Sequence, residues 1–142
     1  MEQSTTPDLS GALIGAVART YRRLRAERGG NALSDTQHVV LTRLTRQGPC
    51  SPTELADFAR VSGPSMHQAV TGLVDAGLVV RRPDPEDGRR VRIVPTLDGE
   101  QAAAEARRRR HAWLDPHLDA LTEAERETLA AAAAILRGIA DS

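Results

Sequence analysis

Apolar residues recur at three- and four-residue steps along most of this chain, and each such stretch opens or closes on a helix signal. Leu9, Leu13, Val17, Thr20, Tyr21 and Leu24 draw one stripe along a first helix. Asp8 or Ser10 is placed to cap it, and Gly29-Gly30 to end it. Ser34-Asp35-Thr36-Gln37 reads as a capping box ahead of Val39, Val40, Leu41 and Leu44, with Gly48-Pro49 as the stop. Ser51-Pro52-Thr53-Glu54 is a second such box, with proline at the first helical position, opening a short helix through about Phe58. After a tight turn, Ser62 caps a helix that runs to Ala76 and is closed by Gly77. Met66, Ala69, Val70 and Leu73 form its inward stripe, which leaves Ser65, His67, Gln68, Thr71 and Gly72 largely outside.

The period then changes. Residues 78–95 hold two β-prone runs around a charged turn that ends in Asp87-Gly88-Arg89-Arg90. Thr96 caps a long helix rich in Ala and Arg, with an interruption expected near Pro116. Thr122-Glu123-Ala124-Glu125 is a third capping box, and it starts a last helix carrying Leu129, Ala132, Ala133, Leu136 and Ile139 on one side. The predicted fold is mainly α with a small β-wing. A winged helix-turn-helix covers 34–95, flanked by dimerisation helices in 1–33 and 96–142. The flanking stripes exceed what a small central domain can cover, so a second subunit is the natural place to bury them.

A helix followed by a basic hairpin suits double-stranded DNA. The helix can enter a major groove, and arginines at the hairpin tip can reach the backbone or the next minor groove. Composition narrows this. Formal net charge is zero over 142 residues, so any DNA-binding surface is local rather than a general basic coat. All 19 basic residues are arginine. That suits bidentate contacts to phosphate and guanine, although GC-rich codon usage gives the same bias and weighs more. Aromatics make up only 2 %, so the core must be Leu, Val, Ile and Ala. The single cysteine, Cys50, allows no internal disulfide and fits a reducing cytoplasm. No run of about 18 apolar residues suggests a membrane span, and the polar, acidic start does not read as a signal peptide.

Five pieces in order resemble the multiple-antibiotic-resistance regulator (MarR) family of bacterial transcription factors. Ser51-Pro52-Thr53-Glu54-Leu55-Ala56 is similar to the family's first helix of the helix-turn-helix, and Pro64-Ser65-Met66 to the start of its recognition helix. Leu73 to Val79 resembles the L-x-x-x-G-L-V lead into the wing, Asp87-Gly88-Arg89 the D-x-R wing signature, and Thr96-Leu97-Asp98-Gly99 the start of the dimerisation helix. The resemblance implies a homodimer that binds an inverted repeat, usually as a repressor, with Asp87 bracing the wing on an arginine and Arg89 entering the minor groove. Two departures stand out. Gly72 replaces a residue that members often carry charged, at a mid-helix cost of up to about 1 kcal/mol. Gly63 and Pro64 replace larger polar residues, so fewer side chains reach base edges.

The candidate DNA-binding set is Ser51, Thr53, Ser62, Gly63, Pro64, Ser65, His67, Gln68, Thr71, Asp87, Arg89 and Arg90. Arg90 and Arg92 are expected on one face of their strand. A solvated salt-bridge ladder is the plainer account of so mixed a wing. Arg107 to Arg110 point all round a helix and read as solvated or intersubunit pairs, Glu105 with Arg109 among them. Tyr21, His38, Trp113 and Leu114 are candidates for a small-molecule effector pocket. His38, His111 and His117, with Asp115, raise zinc sensing, and Cys50 raises redox sensing, as in some family members. The spacing completes no metal site, and Cys50 reads better as a small apolar residue. No cofactor is expected, and no phosphate loop, zinc-protease motif or nucleophile elbow marks an enzyme. The rival from another class is a winged-helix protein-docking module.

Overall fold

The structure is a computed structural model that describes residues 5–29 and 33–142. Its elements run α1 (Thr6–Glu27), α2 (Asp35–Gln47), α3 (Pro52–Ala59), α4 (Gly63–Asp75), β1 (Val79–Pro83), β2 (Val91–Pro95), α5 (Leu97–Asp119) and α6 (Glu123–Ala140). This is the order that the hydrophobic period predicts, a mainly helical fold with a two-stranded wing.

Three local expectations are corrected. The cap of α1 is Thr5 rather than Asp8 or Ser10. Pro7 suits the first turn, where its missing N–H costs nothing, so the helix starts earlier. The Thr5 hydroxyl donates to the Asp8 carboxylate, which becomes a first-turn acid. Of the expected Gly29-Gly30 stop, Gly29 has φ 98°, and Gly30 lies outside the described residues. Pro116 does not interrupt α5, which continues to Asp119. The proline falls in the last turn, so little helix follows it, and its carbonyl still accepts from Ala120 N at 3.2 Å. Val39 is 38 % exposed, whereas His38, Val40, Leu41 and Leu44 are buried. The stripe of α2 is therefore rotated from the one expected.

Two compact units form. One is Gly29–Arg107; the other joins Met1–Arg28 to Arg108–Ser142. In the first, Val40, Leu41, Leu44, Leu55, Met66, Val70, Leu73, Val79 and Ile93 close an aliphatic core drawn from α2, α3, α4 and both strands. Fully burying each such side chain contributes about 1.5–3 kcal/mol. The strands pair antiparallel, with Val79 opposite Pro95 and Pro83 opposite Val91. The second unit, built of α1, the end of α5 and α6, is different: neither α1 nor α6 has a buried residue. Ile14, Ile135 and Ile139 are 69 %, 64 % and 61 % exposed.

Candidate nucleic-acid interface

Helix α3 starts at Ser51, whose hydroxyl accepts from the Glu54 amide at 3.1 Å; Thr53 is exposed beside it. Arg60 ends α3 in the left-handed region at φ 54°, and this sets the tight turn into α4. Ser62 caps α4 by accepting from Ser65 N at 3.2 Å, and the two hydroxyls bond at 3.0 Å. Ser62 and Ser65 are thus engaged locally. Gly63 and Pro64 form the exposed first turn. As the period predicts, Met66, Ala69, Val70 and Leu73 are buried, while His67 and Gln68 are exposed and Thr71 half-buried.

Thr71 is not simply open to solvent. Its hydroxyl accepts from the Arg81 guanidinium of β1 at 3.0 Å. Arg81 therefore joins the exposed face of α4, a residue the sequence reading placed only on the wing. A helix-to-strand contact of this kind has no local signal. The only hint was an arginine entering a strand right after the helix.

The wing turn is built by two aspartates. Asp84 Oδ1 accepts from the Glu86 and Asp87 amides at 2.8 and 3.2 Å, and these two bonds hold its carboxyl below the usual carboxylate value. Asp87 Oδ1 accepts from the Arg89 amide at 3.1 Å. The Asp87 carboxylate also lies 3.9 Å from Arg89 Nε and 3.8 Å from Arg90 Nε. Pairs this long and exposed are weak. They leave the Arg89 guanidinium 97 % exposed at the tip, and Arg90 nearly as open. Arg90 and Arg92 do not share a strand face, because Arg90 precedes β2 and belongs to the turn. Arg92 sits opposite Arg82, an unfavourable like-charge position, and turns instead to Asp84 at 4.0 Å and to the Pro49 carbonyl at 3.2 Å.

The base of the wing is fixed to the helices. Ile93 N donates to the Cys50 carbonyl at 2.8 Å, which makes Cys50 a buried structural residue; burial pushes its thiol up from the ordinary value. Thr96 accepts from Gly99 N at 3.1 Å and donates to the Gly77 carbonyl at 2.6 Å, while its own amide donates to Leu78 O at 3.0 Å. A Cβ on Gly99 would run into that Leu78 carbonyl. The Thr96-Leu97-Asp98-Gly99 motif is thus the joint between wing and α5. Gly77 takes φ 74°, a conformation glycine adopts without strain.

In the helical unit, Arg23, Glu27, Arg109, Ala112 and Trp113 line a groove of about 530 Å³. The Arg23 guanidinium stands 5.4 Å from the Trp113 ring centroid and pairs with Glu27 at 2.7 Å. Of the expected pocket residues, Trp113 lines this groove, Tyr21 and Leu114 belong to the same unit, and His38 is buried in the other. His111 Nδ1 lies 3.4 Å from Asp115, and His117 Nδ1 lies 2.7 Å from the Trp113 carbonyl. Among the described residues no group of three or more His, Cys, Asp or Glu is placed to hold a metal ion. Likewise, no helix there is long and apolar enough to cross a membrane.

Residues 33–90 match the family model described as the MarR family. An HTH-type transcriptional regulator of Mycobacterium tuberculosis (strain CDC 1551 / Oshkosh) is 36 % identical over 133 residues, 94 % of this chain and 93 % of that protein. The chain belongs to the MarR family. Its fold matches that of a MarR family protein from Bacillus stearothermophilus, at TM-score 0.87 and 22 % identity, over 100 % of this chain and 99 % of that one. It is also similar to Bordetella bronchiseptica BpsR, whose DNA binding is regulated by 6-hydroxynicotinic acid. That likeness has TM-score 0.68 and 25 % identity, over 90 % and 92 % of the two chains. MarR-family membership makes this chain a DNA-binding transcriptional regulator, and gives the α4–wing surface its context.

Proposed function

We propose that this MarR-family regulator is a cytoplasmic homodimeric repressor that binds a palindromic operator and releases it when a small aromatic acid binds. The observation that carries the reading is the joined surface of α4 and wing: exposed His67 and Gln68, the Arg81–Thr71 bond, and an open Arg89 tip. Side chains of α4 supply amide, imidazole and hydroxyl groups suited to base edges and phosphates, and Gln68 suits an adenine. Arg89 supplies a cation for the backbone or the narrow minor groove. The capping residues Ser51 and Ser62 fix the starts of the two helices.

The apolar residues of α1 and α6 support a dimer, since Leu9, Val17, Leu129 and Ile139 stay open in the single chain. Two-fold symmetry then calls for half-sites roughly 10–10.5 base pairs apart, centre to centre. The Trp113 groove sets an indole ring beside Arg23 and Arg109, with Glu27 also in its lining, and the ring and the arginines support an aromatic acid as the ligand. The regulation of BpsR by 6-hydroxynicotinic acid points to the same chemistry. An effector that prefers one separation of the two α4 helices weakens operator binding by its differential affinity.

The test is selection of duplexes from a random library by the full-length protein, followed by titration of hydroxylated aromatic acids against the selected complex. The expected result is an imperfect palindrome whose affinity falls with one of the acids. A protein that enriches no sequence at low salt is a docking module instead. An asymmetric single half-site would rule out the symmetric dimer.

A further inference from the structure

We infer that Gln37 is a positioning residue for α4, holding the DNA-facing helix in register from the start of α2; this rests on the reading that α4 contacts bases. Gln37 uses both ends of its amide. Its Oε1 accepts from Ser34 N at 2.9 Å and so closes the capping box of α2. Its Nε2 reaches across to α4 and donates to the Ala69 carbonyl at 3.3 Å. A carbonyl in mid-helix already accepts one bond from its own helix, so this second bond ties the backbone of α4 itself rather than a movable side chain.

The bridge has a counterpart in the sequence. Gly72 lies three residues beyond Ala69, and a Cβ there would overlap Gln37 Nε2. The glycine is therefore the slot through which the glutamine reaches α4. Its intrinsic helix penalty is the cost of admitting that amide. Ala69 adjoins the exposed Gln68 and Gly72 adjoins the Arg81-bonded Thr71, so the anchored turn is the one that presents the candidate base-reading groups. Ser34, at the other end of the bridge, heads the helix where the chain enters the central unit.

Two substitutions separate positioning from capping. Gln37→Glu retains an oxygen for Ser34 N and adds a first-turn charge that suits the helix dipole, but it cannot donate to Ala69 O. Gly72→Ala fills the slot and displaces the Gln37 amide. Full-length variants are measured against the duplex selected by the wild type and a scrambled duplex of equal composition. Both variants should lose about 2- to 12-fold in the ratio of the two affinities, the factor one neutral hydrogen bond is worth, with scrambled-DNA affinity changed little.

A thermal double-mutant cycle tests the contact independently of DNA. In a Gln37→Ala background, Gly72→Ala gains its full helix propensity and should raise Tm by about 2–8 °C; with Gln37 present the gain should be smaller or reversed. Equal Tm effects in the two backgrounds overturn the slot. An unchanged affinity ratio in Gln37→Glu overturns the positioning role. If the wild type itself does not discriminate between duplexes while the cycle shows coupling, the base-reading premise has failed rather than the contact, and the positioning role falls with it.

Discussion

Along α4, Met66, Ala69, Val70 and Leu73 are buried against the aliphatic core, while His67 and Gln68 face outward. The inward positions of α4 were legible because a three- and four-residue period over an aliphatic core admits one helix face. The exposed face was legible as the remainder. Gly72 read as a defect, because its reason is the Gln37 side chain, which reaches α4 across 32 residues of sequence to Ala69. Thr71 read as an open hydroxyl, because the Arg81 bond depends on where β1 lies against α4. Cys50 read correctly as packing. Its buried thiol is held above the ordinary value of 9.0, chiefly by desolvation, so folding favours the neutral form. That contribution is full below the ordinary value and is lost as pH rises through the folded one. Cys50 should therefore resist alkylation at neutral pH in the native protein and react readily once unfolded, as mass spectrometry across a urea series will read. Rapid native-state labelling at neutral pH would contradict the buried assignment. Gln68→Ala, in turn, should cost about 1–3 kcal/mol on the selected duplex and little on scrambled DNA if it reads an adenine edge, as fluorescence anisotropy can measure.

Among the elements, helix order and the wing were visible because caps, glycines and the change of period are local features. The cap of α1 was not, since Thr5, Asp8 and Ser10 are all good capping residues, and Pro7 decides among them. Within the wing, Asp84 is the organising group, by two amide bonds and the Arg92 pair. Folding lowers its carboxyl from the ordinary 3.8, so its ordering effect is complete above that value and fades as pH falls through the lower folded one. The Glu86 and Asp87 amide resonances should shift together in that acid range, and in Asp84→Ala they should already be displaced at neutral pH. Independent titration of the two amides would show that Asp84 does not organise the turn. The joint between wing and α5 is less forgiving. In Gly99→Ala the new Cβ meets backbone, not a movable side chain, so the variant should lose about 1–3 kcal/mol of stability by urea denaturation. A fully native midpoint would mean that the joint yields easily.

At the scale of the whole molecule, apolar faces left open along α1 and α6 were foreseen from stripes that a small domain cannot cover. Ile135→Glu combined with Ile14→Glu removes two large exposed apolar groups per chain that lie beside the expected stripes. Each is worth about 1.5–3 kcal/mol if buried in an interface. The double variant should scatter light as a monomer while the central unit keeps its helical signal, and its operator affinity should fall with the loss of the second half-site. A variant that stays dimeric places the interface elsewhere.

We propose one DNA-reading surface, formed by α4 and the Arg89 wing together. Its most direct measurement is a salt titration of wild type and Arg89→Ala on the selected duplex. The side chain is almost wholly exposed, so its removal leaves the fold intact. Loss of one cation from the DNA backbone or groove should weaken binding strongly and reduce the slope of log affinity against log salt by about one unit. An Arg89→Ala protein with wild-type affinity and wild-type slope would contradict the account.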